Sequence, residues 1–405
     1  KEKWDTVWFS QWEPAEKKTQ YAHDCYVYRF GTCLDKNGED TTNYNIEEVD
    51  KSTIPDFNLL VGGFPCQDYS VASSLATSKG LEGKKGILWW SIRETVEKKQ
   101  PPFILLENVD RLLKSPAKQR GRDFGIILAC LRDEGYTVEW RVINAADYGR
   151  SQRRRRVFFF VFRNDTKYAK SLDNKYENED IVFEEHKYDD YLFQTGLFAT
   201  QFPIKQAPVK NRQVFYELED DIVAVSDNFT GTVWNTGVMR HGKYYSIETA
   251  ANFDGNPITL GEILQDETEV PDKYFLTDKA KLEKFQYLRG PKKLERTSAD
   301  GHTYIYSEGG MSPYDDLNLP GRTMLTSEGT VNRSTHFLFV NNKYRLLTPI
   351  EAERLQDFPD DWTAYKKLED GTVVEVSDKM RMFFMGNALV TEIVRKIGDF
   401  IKTID

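Results

Sequence analysis

Apolar runs typical of strands alternate with helical segments over roughly the first 165 residues of the chain. Residues 58–62 and 103–109 are compact apolar runs of the kind found in buried parallel strands. Between them, residues 88–99 carry apolar positions at helical spacing, and residues 6–9 form a further short strand-like run. This alternation predicts an α/β fold with a doubly wound sheet, in which ligands bind at the carboxyl ends of the strands.

The amino-acid composition changes at about residue 167, where polar and aromatic tracts with many Gly, Asn, Asp and Thr residues begin. Short strand-like pieces and frequent turns there predict a second, smaller, β-rich domain. Further on, Thr348, Pro349 and Glu351 form the capping box of a connecting helix. The predicted division is a first domain of residues 1–166 and 381–405, a second domain of residues 167–342 and a connecting segment of residues 343–380.

Charge and cysteine content narrow the function classes. The 405 residues carry a net charge of −9, but residues 111–122 contain five cations and no acid, and Arg150 with residues 153–156 forms a second basic block. Local patches rather than net charge set the field at a nucleic-acid backbone, although either block could be an ordinary solvated surface. The four cysteines lack paired spacing, and no apolar run reaches 18 residues. We therefore expect a cytoplasmic protein with no metal site, disulfide or membrane partner.

Cys66 is the first candidate for chemistry. It follows a proline after the apolar run 57–61, so its thiol is presented where a strand gives way to a loop. Such a thiol is a candidate nucleophile, although a lone cysteine is by default a buried structural residue. Glu107 ends the next predicted strand, 41 residues later, so the carboxylate and the thiol are expected at the same sheet edge.

Gln152, Arg154 and Arg156 occupy alternate positions of an extended segment. Alternate residues of such a segment share a face, so these three side chains are expected to point together toward the same edge. Guanidinium groups suit both a carbonyl oxygen of a base and nearby phosphates. The alternative is a solvated basic turn.

Five sequence blocks, in this order, resemble the DNA cytosine-C5 methyltransferases of bacterial restriction–modification systems. The resemblance covers nearly the whole chain, and five ordered blocks are far more specific than any one of them. The blocks are Gly-Phe-Pro-Cys66-Gln, Glu107-Asn108-Val109, Gln152-x-Arg154-x-Arg156, Arg345-x-Leu-Thr-Pro-x-Glu351 and Gly386-Asn387.

The resemblance implies a role for each catalytic candidate. Cys66 would attack C6 of cytosine, Glu107 would hold N3 and the exocyclic amine, and Arg154 and Arg156 would bind O2 and organise the site. The base must leave the duplex stack to reach the thiol, and residues 67–87 are expected to form the loop that closes over it. The partner would be duplex DNA, bound by a monomer. The expected DNA contacts are Gln67, Ser70, Gln152 and Thr323.

The methyl donor implied by the resemblance is S-adenosyl-L-methionine, with S-adenosyl-L-homocysteine as product. Trp12 matches the ring that stacks on adenine. Gln11 and Asn45 stand where the family usually has Glu and Asp, and both amides retain hydrogen-bonding capacity. The full set expected to bind the donor is Gln11, Trp12, Asn45, Ile46, Pro65, Leu88, Asn387 and Ala388.

No match to the family's first block, a strand and a Phe-x-Gly-x-Gly loop that cradles the donor, occurs in this sequence. The sequence starts at Lys1, just before the family's second strand. A disordered start, a truncated chain or a second polypeptide would each account for this, and the first is our hypothesis.

Residues 321–329 resemble the segment that ends target recognition in the family, with Thr323 as the match to a residue behind the flipped nucleotide. Residues 234–237 and 332–336 are further candidates for groove contacts, with polar β-turns as an equally good interpretation. Two rival functions remain at this point. One is an RNA (tRNA) cytosine-C5 methyltransferase, and the other is a non-catalytic DNA-binding relative.

Overall fold

A seven-stranded mixed sheet forms the centre of the computed structural model, which describes residues 4–13, 20–35, 37–40, 42, 45–64, 87–176, 187–206, 212–298 and 301–404. The strand order is β1-β2-β4-β3-β6-β7-β5. β1 and β2 are parallel, and every other neighbouring pair is antiparallel. The strands are β1 (Leu59–Gly63), β2 (Phe103–Val109), β3 (Tyr136–Asn144), β4 (Arg155–Arg163), β5 (Gln213–Glu217), β6 (Thr236–Arg240) and β7 (Lys243–Ile247).

Helices cover both faces of this sheet, as the α/β prediction requires. Alternate residues of β2 and β4 enter two different cores, so that Ile104 and Phe159 lie on one face and Phe103 and Phe160 on the other. The first core is closed by α2 (Ile87–Lys99), α3 (Arg122–Asp133) and α6 (Ile222–Asn228). The second is closed by α4 (Lys167–Tyr176), α5 (Leu197–Gln201) and α10 (Thr391–Ile401). α10 is amphipathic, with Ile393, Ile397 and Ile401 buried against this core.

β5, β6 and β7 continue the sheet beyond the predicted boundary at residue 166. β6 pairs with β3, placing Gly237 opposite Trp140. A β-carbon on Gly237 would lie 2.2 Å from the Trp140 ring, so only glycine lets β6 approach this closely. The sheet therefore includes residues from both predicted domains.

The short strand predicted at residues 6–9 is wrong. The structure assigns no strand within residues 4–13, since no described strand lies beside them to supply a backbone ladder. Their polar groups find other partners, with the Cys33 thiol donating to the Thr6 carbonyl at 3.0 Å. The neighbouring helix is α1 (Tyr21–Phe30).

A third core gathers apolar residues of the later part of the chain, including Leu260, Met324, Leu347 and Met385. Its helices are α8 (Pro349–Leu355), which begins with the predicted capping box, and α9 (Asp378–Asn387). α7 (Lys279–Arg289) leads into an antiparallel pair, β8 (Lys292–Thr297) and β9 (Thr303–Glu308). Two smaller antiparallel pairs are β10 (Leu338–Val340) with β11 (Lys343–Arg345), and β12 (Tyr365–Lys367) with β13 (Val373–Glu375).

Candidate active site

The carboxyl ends of β1 and β2 bring the candidate chemistry together. Their parallel register pairs Gly63 with Glu107. A β-carbon on Gly63 would lie 3.2 Å from Glu107 Oε2, so the carboxylate rests over the last residue of β1. Cys66 follows Gly63 by three positions in the sequence and lies outside the described residues. The chain thus enters the cysteine segment directly beside the Glu107 carboxylate.

Asn108 fixes the point at which the chain leaves β1. Its side chain is buried, its Nδ2 donates to the Phe64 carbonyl at 2.8 Å, and its Oδ1 accepts from the Val109 amide at 2.8 Å. Phe64 is itself packed in the first core. The sequence analysis gave Asn108 no role of its own within the motif Glu107-Asn108-Val109. Its position directly after Glu107 was the only sequence feature that could have indicated a structural role.

Glu107 and Arg156 form an ion pair at the end of β2. Arg156 Nε lies 2.8 Å from Glu107 Oε1, and β2 and β4 are neighbouring strands. Burial raises the pKa of Glu107, although the Arg156 and Arg154 charges oppose the shift. Burial likewise lowers the pKa of Arg156, opposed by Glu107. A carboxyl group with a raised pKa, held by a guanidinium, can act both as a proton donor and as an acceptor.

The predicted alternation of residues 152–156 is confirmed by burial. Gln152 and Arg154 are buried and Arg156 is largely so, whereas Arg153 and Arg155 are exposed. Alternate side chains of this segment therefore share one face.

The Arg154 guanidinium donates hydrogen bonds to two backbone carbonyls and not to the Glu107 carboxylate. Its Nη1 donates to the Met324 carbonyl and its Nη2 to the Gly386 carbonyl, each at 3.0 Å. Burial lowers the pKa of Arg154 to about 9, and the neighbouring Arg156 charge adds to the shift. These contacts place Arg156, and not Arg154, next to Glu107. Arg154 instead ties the sheet to two distant segments.

The side-chain amide of Gln152 also forms hydrogen bonds with backbone groups. Its side chain is fully buried, its Nε2 donates to the Leu355 carbonyl at 3.0 Å, and its Oε1 accepts from the Met324 amide at 3.0 Å. The predicted direct contact of Gln152 with DNA is therefore not available in this geometry, because both ends of the amide are occupied beneath the surface.

The segment around Thr323 runs alongside residues 151–153. The Gly321 amide donates a hydrogen bond to the Ser151 carbonyl at 2.7 Å, and the Gly321 carbonyl accepts one from the Arg153 amide at 2.8 Å. The half-buried Thr323 donates its hydroxyl to the Arg153 carbonyl at 2.6 Å. The predicted recognition segment is thus hydrogen-bonded directly to the segment that precedes β4 and leads to Arg154 and Arg156.

The expected donor-binding residues that the structure describes lie in four separate stretches of the chain. Trp12 is exposed, as a ring that stacks on a ligand requires, and Gln11 beside it is exposed too. Asn45 and Ile46 are half-buried in a turn, where Asn45 Oδ1 accepts from the Glu47 amide at 3.2 Å. Leu88 packs on the first core. Pro65, Gln67 and Ser70 lie outside the described residues.

The block Gly386-Asn387 ends α9. A β-carbon on Gly386 would lie 2.4 Å from the Thr326 amide nitrogen, so glycine permits the helix to touch the backbone of the recognition segment. Asn387 is exposed and Ala388 packs against the third core. The glycine in this block therefore has a packing role that the motif alone did not reveal.

The two other candidates for groove contacts are occupied within the fold. Thr236 and Gly237 are buried in β6, and Trp234 accepts through its carbonyl from Trp140 Nε1 at 3.0 Å. His336 is buried, with Nδ1 at 3.1 Å from Glu328 Oε2, and Arg333 donates to the Leu288 carbonyl at 2.8 Å. Residues 332–336 lie in a turn region, which agrees with the alternative interpretation, whereas residues 236–237 belong to strand β6 and not to a β-turn.

Two further findings concern the described residues alone. Among them there is no cluster of three or more His, Cys, Asp or Glu side chains that could hold a metal ion. In the same part of the chain, no helix has the length and apolar character needed to cross a bilayer.

Residues 2–403 match the family model described as C-5 cytosine-specific DNA methylase. The chain belongs to this family. It is 48% identical over 401 residues to the type II methyltransferase M.Sau3AI of Staphylococcus aureus, with 99% of this chain and 90% of that protein covered. It is 34% identical over 210 residues to M.NgoBI of Neisseria gonorrhoeae, covering 50% of this chain and 59% of that protein.

Solved structures agree on the fold. The Dnmt2 methyltransferase of S. pombe superposes with a TM-score of 0.55 at 13% identity, covering 97% of this chain and 89% of that one. The α/β methyltransferase fold predicted from the sequence is confirmed, and so is the family.

Proposed function

We propose that this protein transfers a methyl group from S-adenosyl-L-methionine to C5 of a flipped-out cytosine in duplex DNA, through a covalent bond between Cys66 and C6. The observation that carries the proposal is the Glu107–Arg156 pair, seated over Gly63 where the chain enters the Cys66 segment, in a member of the C-5 cytosine methylases. The relatives' names as type II methyltransferases support DNA as the substrate and a bacterial, cytoplasmic setting.

The chemistry requires an activated ring, because C5 of cytosine is a poor nucleophile. Sγ of the Cys66 thiolate adds to C6 while Glu107, with its raised pKa, donates a proton to N3. The ring becomes enamine-like, and C5 takes the methyl group. Solvent water then takes the C5 proton as the Sγ–C6 bond breaks, and N3 returns its proton to Glu107, so that the thiolate, the Glu107 carboxyl group and the aromatic base are all regenerated. Arg156 holds Glu107 in place and offers N–H donors to O2.

The residues present fit the methyl donor. An exposed indole at Trp12 can stack on adenine, the amides of Gln11 and Asn45 can bond its polar edges, and Leu88 can contribute apolar surface. When bound, S-adenosyl-L-methionine supplies an electrophilic methyl group and leaves as S-adenosyl-L-homocysteine. Pro65, Ile46, Asn387 and Ala388 complete the proposed set.

The proposed boundary between the catalytic and recognition domains follows the extent of the sheet. We propose that the catalytic domain comprises the sheet, including β5–β7, with its helices and residues 381–404, and that the recognition domain lies between residue 248 and residue 342. Fastening of Gly321 and Thr323 to residues 151–153 supports a cleft for DNA at this junction. We further propose that the protein acts as a monomer.

Transfer of labelled methyl groups tests the proposal. The protein would be incubated with labelled S-adenosyl-L-methionine and, in parallel, with plasmid DNA or tRNA, and bisulfite sequencing would locate 5-methylcytosine in the plasmid. We expect label in DNA at a defined sequence and none in tRNA. Label in tRNA alone would establish the RNA enzyme instead, and no label in either would indicate a non-catalytic relative.

A further inference from the structure

The antiparallel pair β8–β9, here called the ribbon (residues 292–297 and 303–308), stands apart from the three cores. It forms its own two-stranded sheet and pairs with no other described strand. Residues on both faces are exposed, with Ile305 at 71%. An isolated two-stranded ribbon is marginally stable in water, so its own packing is a weak reason for this chain to carry it.

One face of the ribbon is aromatic and basic. The register places Arg296 opposite Tyr304 and Leu294 opposite Tyr306 on that face, while Ile305 points to the other. The Arg296 guanidinium carbon lies 3.9 Å from the centre of the Tyr306 ring. Stacking by its face leaves the in-plane N–H donors of Arg296 unobstructed by the ring. Tyr304 and Leu294 are exposed beside it. This set, Leu294, Arg296, Tyr304 and Tyr306, is called the reading face below.

Charge on the reading face is net positive. Glu308, which lies on the same side of the ribbon at its base, is paired with Lys292 at 3.2 Å and with Arg333 at 3.1 Å. Lys292 also lies 5.0 Å from the centre of the exposed Tyr287 ring. Cations interleaved with aromatic rings are suited to a polyanion that also presents flat bases.

The base of the ribbon is anchored to the recognition segment. Arg289, at the end of α7, donates to Asp315 Oδ2 at 2.6 Å and to the Thr335 carbonyl at 3.0 Å. Arg322 donates to the same two groups, at 2.5 Å to Asp315 Oδ1 and at 2.9 Å to Thr335. Arg322 is flanked by Gly321 and Thr323, which bond to residues 151–153 of the catalytic side. A buried network therefore links the ribbon to the candidate active site.

We infer that the ribbon enters the major groove of the substrate duplex with its reading face toward the bases, and that Arg296 and Tyr304 set part of the sequence specificity. Six residues per strand give a reach of about 20 Å, and a major groove about 12 Å wide admits a two-stranded ribbon. The inference rests on the proposed function and adds which residues read DNA. Arg296 supplies paired donors of the kind that recognise guanine, and Tyr304 supplies a ring for contact with a base edge.

The test uses the intact protein and a double variant, Arg296→Ala with Tyr304→Ala. Bisulfite mapping of a plasmid first gives the sequence that the unaltered protein methylates. Fluorescence anisotropy then measures Kd for a duplex with one such site and for a scrambled duplex. We expect the double variant to bind the site about tenfold or more weakly, to bind the scrambled duplex less than about threefold more weakly, and to methylate additional sequences. Ile305→Ser, on the opposite face of the same strand, should match the unaltered protein.

The possible outcomes distinguish failure of the ribbon inference from failure of the proposed function. If the double variant melts at the same temperature but keeps the site preference and the methylation map, the ribbon inference is overturned and the proposed function stands. The ribbon inference is also overturned if the unaltered protein sediments as a dimer, and the double variant sediments as a monomer with unchanged DNA specificity. The ribbon would then be a contact between subunits. If the unaltered protein methylates no duplex, the proposed function fails and the ribbon inference fails with it.

Discussion

The carboxyl end of the sheet and the ribbon use polar side chains in opposite ways. At the sheet end, Asn108, Gln152 and Arg154 are buried and direct their polar groups to backbone carbonyls and amides. On the ribbon, Arg296 and Tyr304 are exposed and lie on a face that no core covers. Side chains that must hold a reaction geometry are fixed by the fold itself. Those proposed to read a variable partner present their groups outward.

The first prediction concerns the sheet end, where the largest effect is expected. Glu107→Gln keeps the shape of the side chain but removes the acid that neutralises N3, so we expect methyl transfer to slow by roughly 10²- to 10⁴-fold with little change in DNA affinity. Single-turnover rates and anisotropy would measure the two quantities. Asp110→Asn is the matched control, since Asp110 is three residues away and pairs with the exposed Arg155. Equal rates for the two variants would remove Glu107 from the mechanism.

The second prediction concerns Glu139, buried in the middle of β3. Its carboxylate accepts from the Tyr191 hydroxyl at 2.8 Å and from the Phe198 amide at 3.2 Å, and burial raises its pKa from 4.5 to about 7. Between those values the unfolded chain has lost the proton that the folded chain keeps, so stability falls as pH rises. Relative to Glu139→Gln, the free energy of unfolding should drop by about 3 kcal/mol from pH 4.5 to just above pH 7.

Urea unfolding at a series of pH values would measure that difference. Glu295→Gln in the ribbon is the control, because Glu295 is exposed and its replacement should give a curve parallel to that of the unaltered protein. A flat difference for Glu139→Gln would contradict the account of this carboxyl group.

The third prediction tests the link between the two regions. Arg154→Met leaves the Met324 and Gly386 carbonyls without their donor, while it also removes a buried charge. We expect a net loss of about 2 kcal/mol in the free energy of unfolding and slower methyl transfer. Arg153→Met, at the exposed neighbouring position, should stay within about 0.5 kcal/mol. If both variants unfold alike, Arg154 does not hold the segments together.

The smallest effect is expected in the ribbon. Ile305→Ala should change the free energy of unfolding by less than about 0.5 kcal/mol, since the side chain is exposed. Ile104→Ala, the same change within β2, removes a fully buried side chain and should cost about 2–5 kcal/mol. Thermal or chemical unfolding of the pair would compare the regions directly. Similar losses would mean that the ribbon packs like a core element.

Sequence reasoning located the strands and helices around the site well. The helical spacing of apolar residues at positions 88–99 is observed as the helix Ile87–Lys99, because those residues match the core that the helix faces. The position of Glu107 at a strand end beside β1 could be predicted, since parallel neighbours end at the same edge.

Contacts distant in sequence could not be predicted. The partners of Arg154 are carbonyls 170 and 232 positions away, and carbonyls carry no sequence signature. The continuation of the sheet through β6 depends on the fit of Gly237 against Trp140, and the sequence pattern of residues 234–237 suits a turn equally well. The strand expected at residues 6–9 failed for a related reason, because a strand is defined by the neighbour it pairs with and the local sequence does not reveal that neighbour.

The central claim is the covalent bond between Cys66 and the base. It is tested most directly by incubating the protein and S-adenosyl-L-methionine with a duplex that carries 5-fluorocytosine at the mapped site, where the fluorine blocks the elimination that would release the enzyme. Intact mass spectrometry should show a protein–DNA adduct for the unaltered protein and for Cys33→Ala, and none for Cys66→Ala. No adduct in the unaltered protein, or an adduct that persists in Cys66→Ala, would contradict the account.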